Sequence, residues 1–193
     1  MKETDIASRV PPGQFVTTSF PILHHGEVPH YRDMSQWNLR VFGLVEEEVT
    51  FTFDEFMSLP RKTFVNDIHC VTTWTRLDNV WEGVAVSTLM ERVRLKPEAR
   101  FVMLHAEHGW TTNLPLEDFL RDTSFFGLKH NGETLTPKHG YPVRMVVPHL
   151  YFWKSAKWLR GIEFMAENKP GFWERNGYHM YGDPWRSQRY DTD

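Results

Sequence analysis

The chain has 193 residues, a formal net charge of -3 and one cysteine. That length supports one well-packed domain rather than two. Near-neutral charge gives no basis for a nucleic-acid or acidic-membrane surface, and a lone cysteine excludes an internal disulfide and a cysteine-rich zinc or iron–sulfur site.

Eight Trp and fourteen Phe, with twelve Pro and twelve Gly, point to short strands and irregular segments, not a helical bundle. The first ten residues lack the apolar stretch of a secretory signal. No apolar run reaches the roughly 18 residues of a spanning helix. The expectation is a cytoplasmic protein without a membrane span.

Residues 1–12 read as a polar tail, and residues 13–193 as one domain. Gln14 to Pro29 has apolar residues but no sustained period, which predicts an extended segment laid over other structure. Trp37 to Val45 alternates, with Trp37, Leu39 and Val41 on one face of a strand. A charged turn leads to a second strand over Val49–Thr52, giving a hairpin. Thr52 to Pro60 reads as a short helix, with Thr52 and Glu55 at capping-box spacing and Pro60 as its stop. Arg61 to Cys70 is a strand. Beyond Cys70 the chain reads as a tryptophan-rich polar loop. A short helix follows within Val84–Val93, with Ser87 as its expected cap.

Phe101–Ala106 is a strand, Gly109–Pro115 a turn and strand, and Leu116–Leu120 one helical turn. Asn131-Gly132 predicts a hairpin turn. Tyr141–Pro148 is a proline-bounded strand, Lys154–Leu159 a helical turn, and Arg160–Met165 a strand. The aromatic-rich end, residues 169–193, reads as an ordered tail laid over the body, since disorder seldom keeps so many aromatics. The fold class is mixed α+β, with short helices.

Cys70 admits three readings: an inert core thiol, a reactive thiol or a metal ligand. No CxxC, HExxH or HxH spacing supports a zinc site. The polar clusters are His24/His25, His69/Cys70, His105/His108, His139 to Arg144, and Lys154/Ser155/Lys157. Arg144, Lys154, Lys157 and Arg160 form a basic set. With Ser155 and local backbone N–H groups they suggest an anion pocket for a phosphate-bearing ligand, set against a plain solvated charged face.

His139-Gly140-Tyr141-Pro142-Val143-Arg144-Met145-Val146-Val147-Pro148, followed by Lys154-Ser155-Ala156-Lys157-Trp158-Leu159, resembles the C-terminal half of the molybdopterin-binding domain of the sulfite oxidase family. Residues 66–84 resemble that family's central cysteine region, and Gly109–Pro115 its middle loop. The resemblance runs over roughly residues 13 to 190. It implies a mixed α+β fold around curved sheets and a molybdenum–molybdopterin cofactor. Cys70 would supply the thiolate on the metal. His139 and Arg144 would hold the pterin, and Ser155, Ala156 and Lys157 would wrap its phosphate. Phe20, His24 and His25 would meet the cofactor from the other side, with His105 near a further contact position. The implied reaction is two-electron oxygen-atom transfer on a small oxo-substrate, with a separate electron donor or acceptor.

Around the substrate mouth the candidates are His24, Arg76, His108 and Trp110, with Arg76 and His108 joining Cys70 as the catalytic set. The chain departs from plant and animal sulfite oxidases, since it shows no immunoglobulin-like or haem domain. It departs from periplasmic methionine-sulfoxide reductases at residues 20–26, where two histidines replace their asparagine, tyrosine and glutamate. The expected form is a short single-domain member, with a monomer as one open state. Two other readings stand beside it: a non-catalytic pterin-binding carrier, and a metal-free cysteine enzyme.

Overall fold

The computed structural model describes residues 6–193. Two sheets carry the fold. The first is built on β5 (Trp74–Ala85), a strand of 12 residues. It pairs antiparallel with β4 (Lys62–His69) and β8 (Phe125–His130), and parallel with the short β1 (Phe15–Val16). β10 (Arg144–Val146) and β9 (Glu133–Thr134) each pair antiparallel with β8. The second sheet has the order β3 (Val49–Thr52), β2 (Asn38–Gly43), β11 (Leu159–Met165), β6 (Phe101–Ala106) and β7 (Thr111–Pro115). There β11 runs parallel to β2 and antiparallel to β6.

The alternation read in β2 becomes a buried face: Trp37, Leu39 and Val41 are all in the core. They join Phe126 and Met145 of the first sheet and Val102, Leu104, Ile162 and Phe164 of the second in one large cluster. A second cluster covers the other face of the first sheet. Ile68, Cys70, Trp74, Trp81, Phe125, Val146, Tyr151, Phe152 and Trp153 belong to it. Strand pleating makes the division: Phe125 and Phe126 are neighbours in β8 but face different cores.

The helices are brief. α1 (Phe53–Met57) has the predicted capping box: Glu55 N donates to Thr52 Oγ1 at 3.3 Å, and Thr52 N donates to Glu55 Oε2 at 2.8 Å. α2 (Val86–Met90) is capped at Ala85 without a side-chain bond, so Ser87 is not its cap. α3 (Leu116–Phe119) follows β7, and α4 (Phe172–Arg175) lies in the C-terminal segment. The helical turn expected at Lys154 sits earlier, as a 3-10 turn over Phe152–Lys154.

The expected loop after Cys70 is only a tight reversal. Thr73 N donates to Cys70 O at 3.0 Å, Cys70 N donates to Trp74 O at 2.8 Å, and Thr73 has φ 76°. Trp74 then starts β5. Polar side chains hid this strand. Buried Thr75 and Asn79 occupy positions where a plain strand would be apolar, and Asp78 bulges outward with φ 54°. Further on, β5 and β8 approach so closely that a Cβ on Gly83 would lie 2.2 Å from Phe126 O. Of the expected polar tail, residues 1–5 lie outside the described residues; farther on, Arg9 pairs with Asp67 and Asp78, each at 2.6 Å.

Candidate functional site

A cavity of about 330 Å³ opens over the second cluster, and Cys70 is in its wall. Trp74, Trp110, Phe152, Trp153 and Trp158 give it aromatic sides. Residues from Phe20 to His25 cover one side, and Trp173 and Tyr178 of the C-terminal segment form another. Arg144, Ser155 and Lys157 supply the polar wall.

Cys70 is 8% exposed. Burial pushes its thiol pKa up, opposed by the Thr72 hydrogen bond and by the charge of Arg189. Its Sγ lies 3.2 Å from Thr72 Oγ1. The preceding histidine turns away: His69 Nδ1 meets Thr75 Oγ1 at 2.9 Å. Gln14 Nε2 donates to Cys70 O at 3.1 Å, and Arg189 donates to Val71 O, so the first two carbonyls of the reversal are held.

Arg144 is 1% exposed. It donates to His139 O and Ser155 O, both at 2.9 Å, and its guanidinium sits 4.3 Å from the Phe152 ring centre. Its Nε is buried without a partner. Burial lowers its pKa to about 9. Lys157 Nζ donates to Leu23 O and Lys138 O, each at 2.7 Å. Burial, and then repulsion from Arg144, lower its pKa to about 7. Among the described residues neither cation has a carboxylate partner. Two poorly compensated cations beside a cavity attract an anion.

The other expected residues fall in different places. His24 and His25 line the cavity. His139 stands behind Phe20, stacked on its ring at 4.3 Å, and its Nε2–H donates to Phe20 O at 3.1 Å. Ala156 is buried in the large core between Ser155 and Lys157. His105 is on the other side of β6, where Nε2 meets Glu163 Oε2 at 2.8 Å. Arg76 is off the cavity wall, bonded to Asn79 Oδ1 and Thr18 O. His108 is exposed on the turn before Trp110.

Two members of the expected basic set serve the scaffold. Arg160 binds Glu107 and the Asn38 carbonyl. Lys154 is fully buried, paired with Glu174 at 2.6 Å and bonded to Asn113 and Met180 O. Glu174 also accepts from Trp153 Nε1 at 2.8 Å. This knot fixes α4 against the cavity, and with it Trp173 and Tyr178. Sequence reasoning missed both residues as wall, although the aromatic richness of the tail was their signal.

The family model described as oxidoreductase molybdopterin binding domain matches residues 25–173. The chain belongs to this family. An uncharacterized oxidoreductase of Bacillus subtilis, YuiH, is 60% identical over 192 residues, covering 100% of this chain and 97% of that protein. A putative protein-methionine-sulfoxide reductase subunit of Azospira oryzae, YedZ1, is 26% identical over 174 residues, 89% of this chain and 66% of that one. The sulfane dehydrogenase SoxCD from Paracoccus pantotrophus superposes with a TM-score of 0.69 at 24% identity, over 80% of this chain and 43% of its own. That likeness establishes the shared mixed α+β, sulfite oxidase-type fold.

Proposed function

We propose that this family member is a molybdenum oxidoreductase that moves an oxygen atom to or from a small oxo-substrate in a two-electron step. The observation that carries the reading is one cavity joining the Cys70 thiol to Arg144 and Lys157 between aromatic walls. The residues suit the cofactor. Thiolate is a soft ligand of the kind such a metal takes. Rings such as Phe20 and Trp158 offer stacking faces to a pterin. The orphaned Arg144 Nε and the carboxylate-free Lys157 offer charge-assisted donors to its phosphate. Among the described residues no group of three or more His, Cys, Asp or Glu could hold a metal. The reading gives Cys70 as the chain's own metal ligand, through a soft thiolate.

When bound, this group supplies the two-electron oxygen-transfer chemistry, while the protein supplies position and electrostatics. Cys70 gives up its proton on ligation. Arg144 and Lys157 face the phosphate together with Ser155 and, through its backbone, Ala156, while His139 backs Phe20 at the pterin end. Phe20, His24 and His25 close the site from the N-terminal side. His24 and Trp110, which line the cavity, take precedence at the substrate mouth over Arg76 and His108. Electrons pass through a separate donor or acceptor. A cytoplasmic location belongs to the same proposal; among the described residues no helix is long and apolar enough to cross a membrane. A metal-free cysteine enzyme is disfavoured, because the Cys70 thiol bonds Thr72 and its neighbour His69 bonds Thr75.

The test is metal analysis of the full chain from a host that makes the cofactor. The expected result is about one molybdenum per chain, absent from Cys70→Ala. Metal-free wild type would overturn the reading. Pterin retained without metal would point instead to a carrier.

A further inference from the structure

The cavity has a cover that no sheet holds. Residues 18–32 run between β1 and the 3-10 turn at Met34–Gln36 without a backbone-to-backbone hydrogen bond among the described residues. Side chains rooted in the body grip this strap by its carbonyls. Arg76 Nε donates to Thr18 O at 3.3 Å, His139 Nε2 to Phe20 O at 3.1 Å, and Lys157 Nζ to Leu23 O at 2.7 Å. Rings add further purchase, and Phe20 reaches into the second cluster, its ring centre 4.8 to 6.5 Å from those of His130, Phe152, Trp81 and Trp74. Phe20 stacks on His139, His25 lies 4.5 Å from Phe172, and His24 meets Trp158 edge-on at 5.9 Å. The far end is tied where Tyr31 Oη donates to Glu107 Oε1 at 3.0 Å. Gly26, at φ +75° with open space around it, turns the strap between these ties.

A strand is held by a ladder that opens cooperatively, whereas separate grips release one at a time, Phe20 being the deepest of them. A segment with few backbone bonds and exposed apolar residues (Ile22 and Leu23 here) opens at well below the global stability. We propose that residues 18–32 are a lifting cover that controls entry to the Cys70 cavity. The proposal rests on reading that cavity as the cofactor site. Lys157 couples the two events. Two of its three N–H donors are engaged by the carbonyls of Leu23 and Lys138. An anion that takes more than the one remaining donor draws the ammonium off Leu23 O and loosens the strap as it enters.

The lone cysteine reports opening from beneath the cover. The full chain is prepared from a host that cannot make the cofactor. Labelling of Cys70 is then timed at fixed pH with a small reagent, methyl methanethiosulfonate, and a bulky one, fluorescein maleimide. Tyr31→Phe and Phe172→Ala loosen the strap without altering a residue assigned to the cofactor. Each is expected to speed bulky labelling by about fivefold, with the small reagent changed by less than about twofold and the urea midpoint held. Bulky labelling unchanged in both variants would overturn the cover. So would a rate that climbs with urea at the slope of global unfolding, since opening would then be unfolding. Protein from a cofactor-making host separates the two claims. Resistance of Cys70 to both reagents is expected there; labelling as fast as in the empty protein would sink the cofactor reading, while the strap variants still decide whether the segment moves.

Discussion

At the scale of single residues, Lys157 is the most informative group. Its folded pKa of about 7 lies far below the ordinary 10.5, because burial and Arg144 disfavour the charge. Below pH 7 the ammonium is charged and attracts anions; above it the amine is neutral and the attraction fades. An occupying anion reverses the penalty, so binding takes up a proton near and above pH 7. Sulfate is the clean probe, since its own charge is constant there. Its affinity is expected to fall by up to about tenfold per pH unit above 7, the limit for one coupled proton. Calorimetry in buffers of different ionisation enthalpy would read the uptake directly. Lys157→Met should flatten the pH dependence; an unchanged slope would mean another group titrates. Arg144 serves as the contrast. With a pKa of about 9 it is still charged near pH 7, so Arg144→Met should weaken sulfate binding there, while the fall in affinity starts at higher pH because its repulsion of Lys157 is gone.

At the scale of elements, the strands show what sequence pattern reveals and conceals. β2 was legible because one face meets the core and the other meets solvent, so apolar and polar residues alternate. The α1 capping box was legible because both partners lie within four residues. Thr52→Ala should cost about 1 kcal/mol, read as a lowered urea midpoint with an unchanged slope. β5 was hidden because it buries Thr75 and Asn79 and carries Asp78 outward on a bulge. Gly83 marks a close approach that no periodicity encodes. Gly83→Ala would drive a Cβ to within 2.2 Å of Phe126 O. Since backbone rather than a flexible side chain stands in the way, β5 and β8 must part. The expected loss, on the order of 3 kcal/mol, should exceed that of Thr52→Ala in the same denaturation series. A loss no greater than the Thr52→Ala cost would show that the strands separate freely. In the site, Lys154 looked like a phosphate ligand because it stands beside Ser155. Its real partner, Glu174, is 20 residues away, and local spacing carries no trace of that pairing.

At the scale of the whole molecule, the two cores divide the labour. One joins the sheets, while the other, on the far face of the first sheet, forms the cavity floor. Polar groups packed beside that core are taken out of water, and the cost appears as acid sensitivity. His69 and His130 both have folded pKa values near 4 against an ordinary 6.5, with burial as the main cause; charges including Arg76 add to it at His130. Between pH 6.5 and 4 the unfolded chain therefore binds more protons than the folded one. Stability is fully present above pH 6.5 and declines as pH falls through this window. The limiting loss is on the order of 3 kcal/mol for His69, and smaller for His130, which water reaches. Urea midpoints measured from pH 7.5 to 4.5 should drop steadily, with the steepest change between pH 6 and 5. His69→Gln keeps a polar side chain for Thr75 and has no proton to gain. It should flatten part of the curve even where its stability at pH 7.5 is reduced. A wild-type midpoint that stays level to pH 4.5 would mean that these histidines reach solvent in the folded state, so that the packing of His130 on Trp81 and of His69 on Trp185 opens to water.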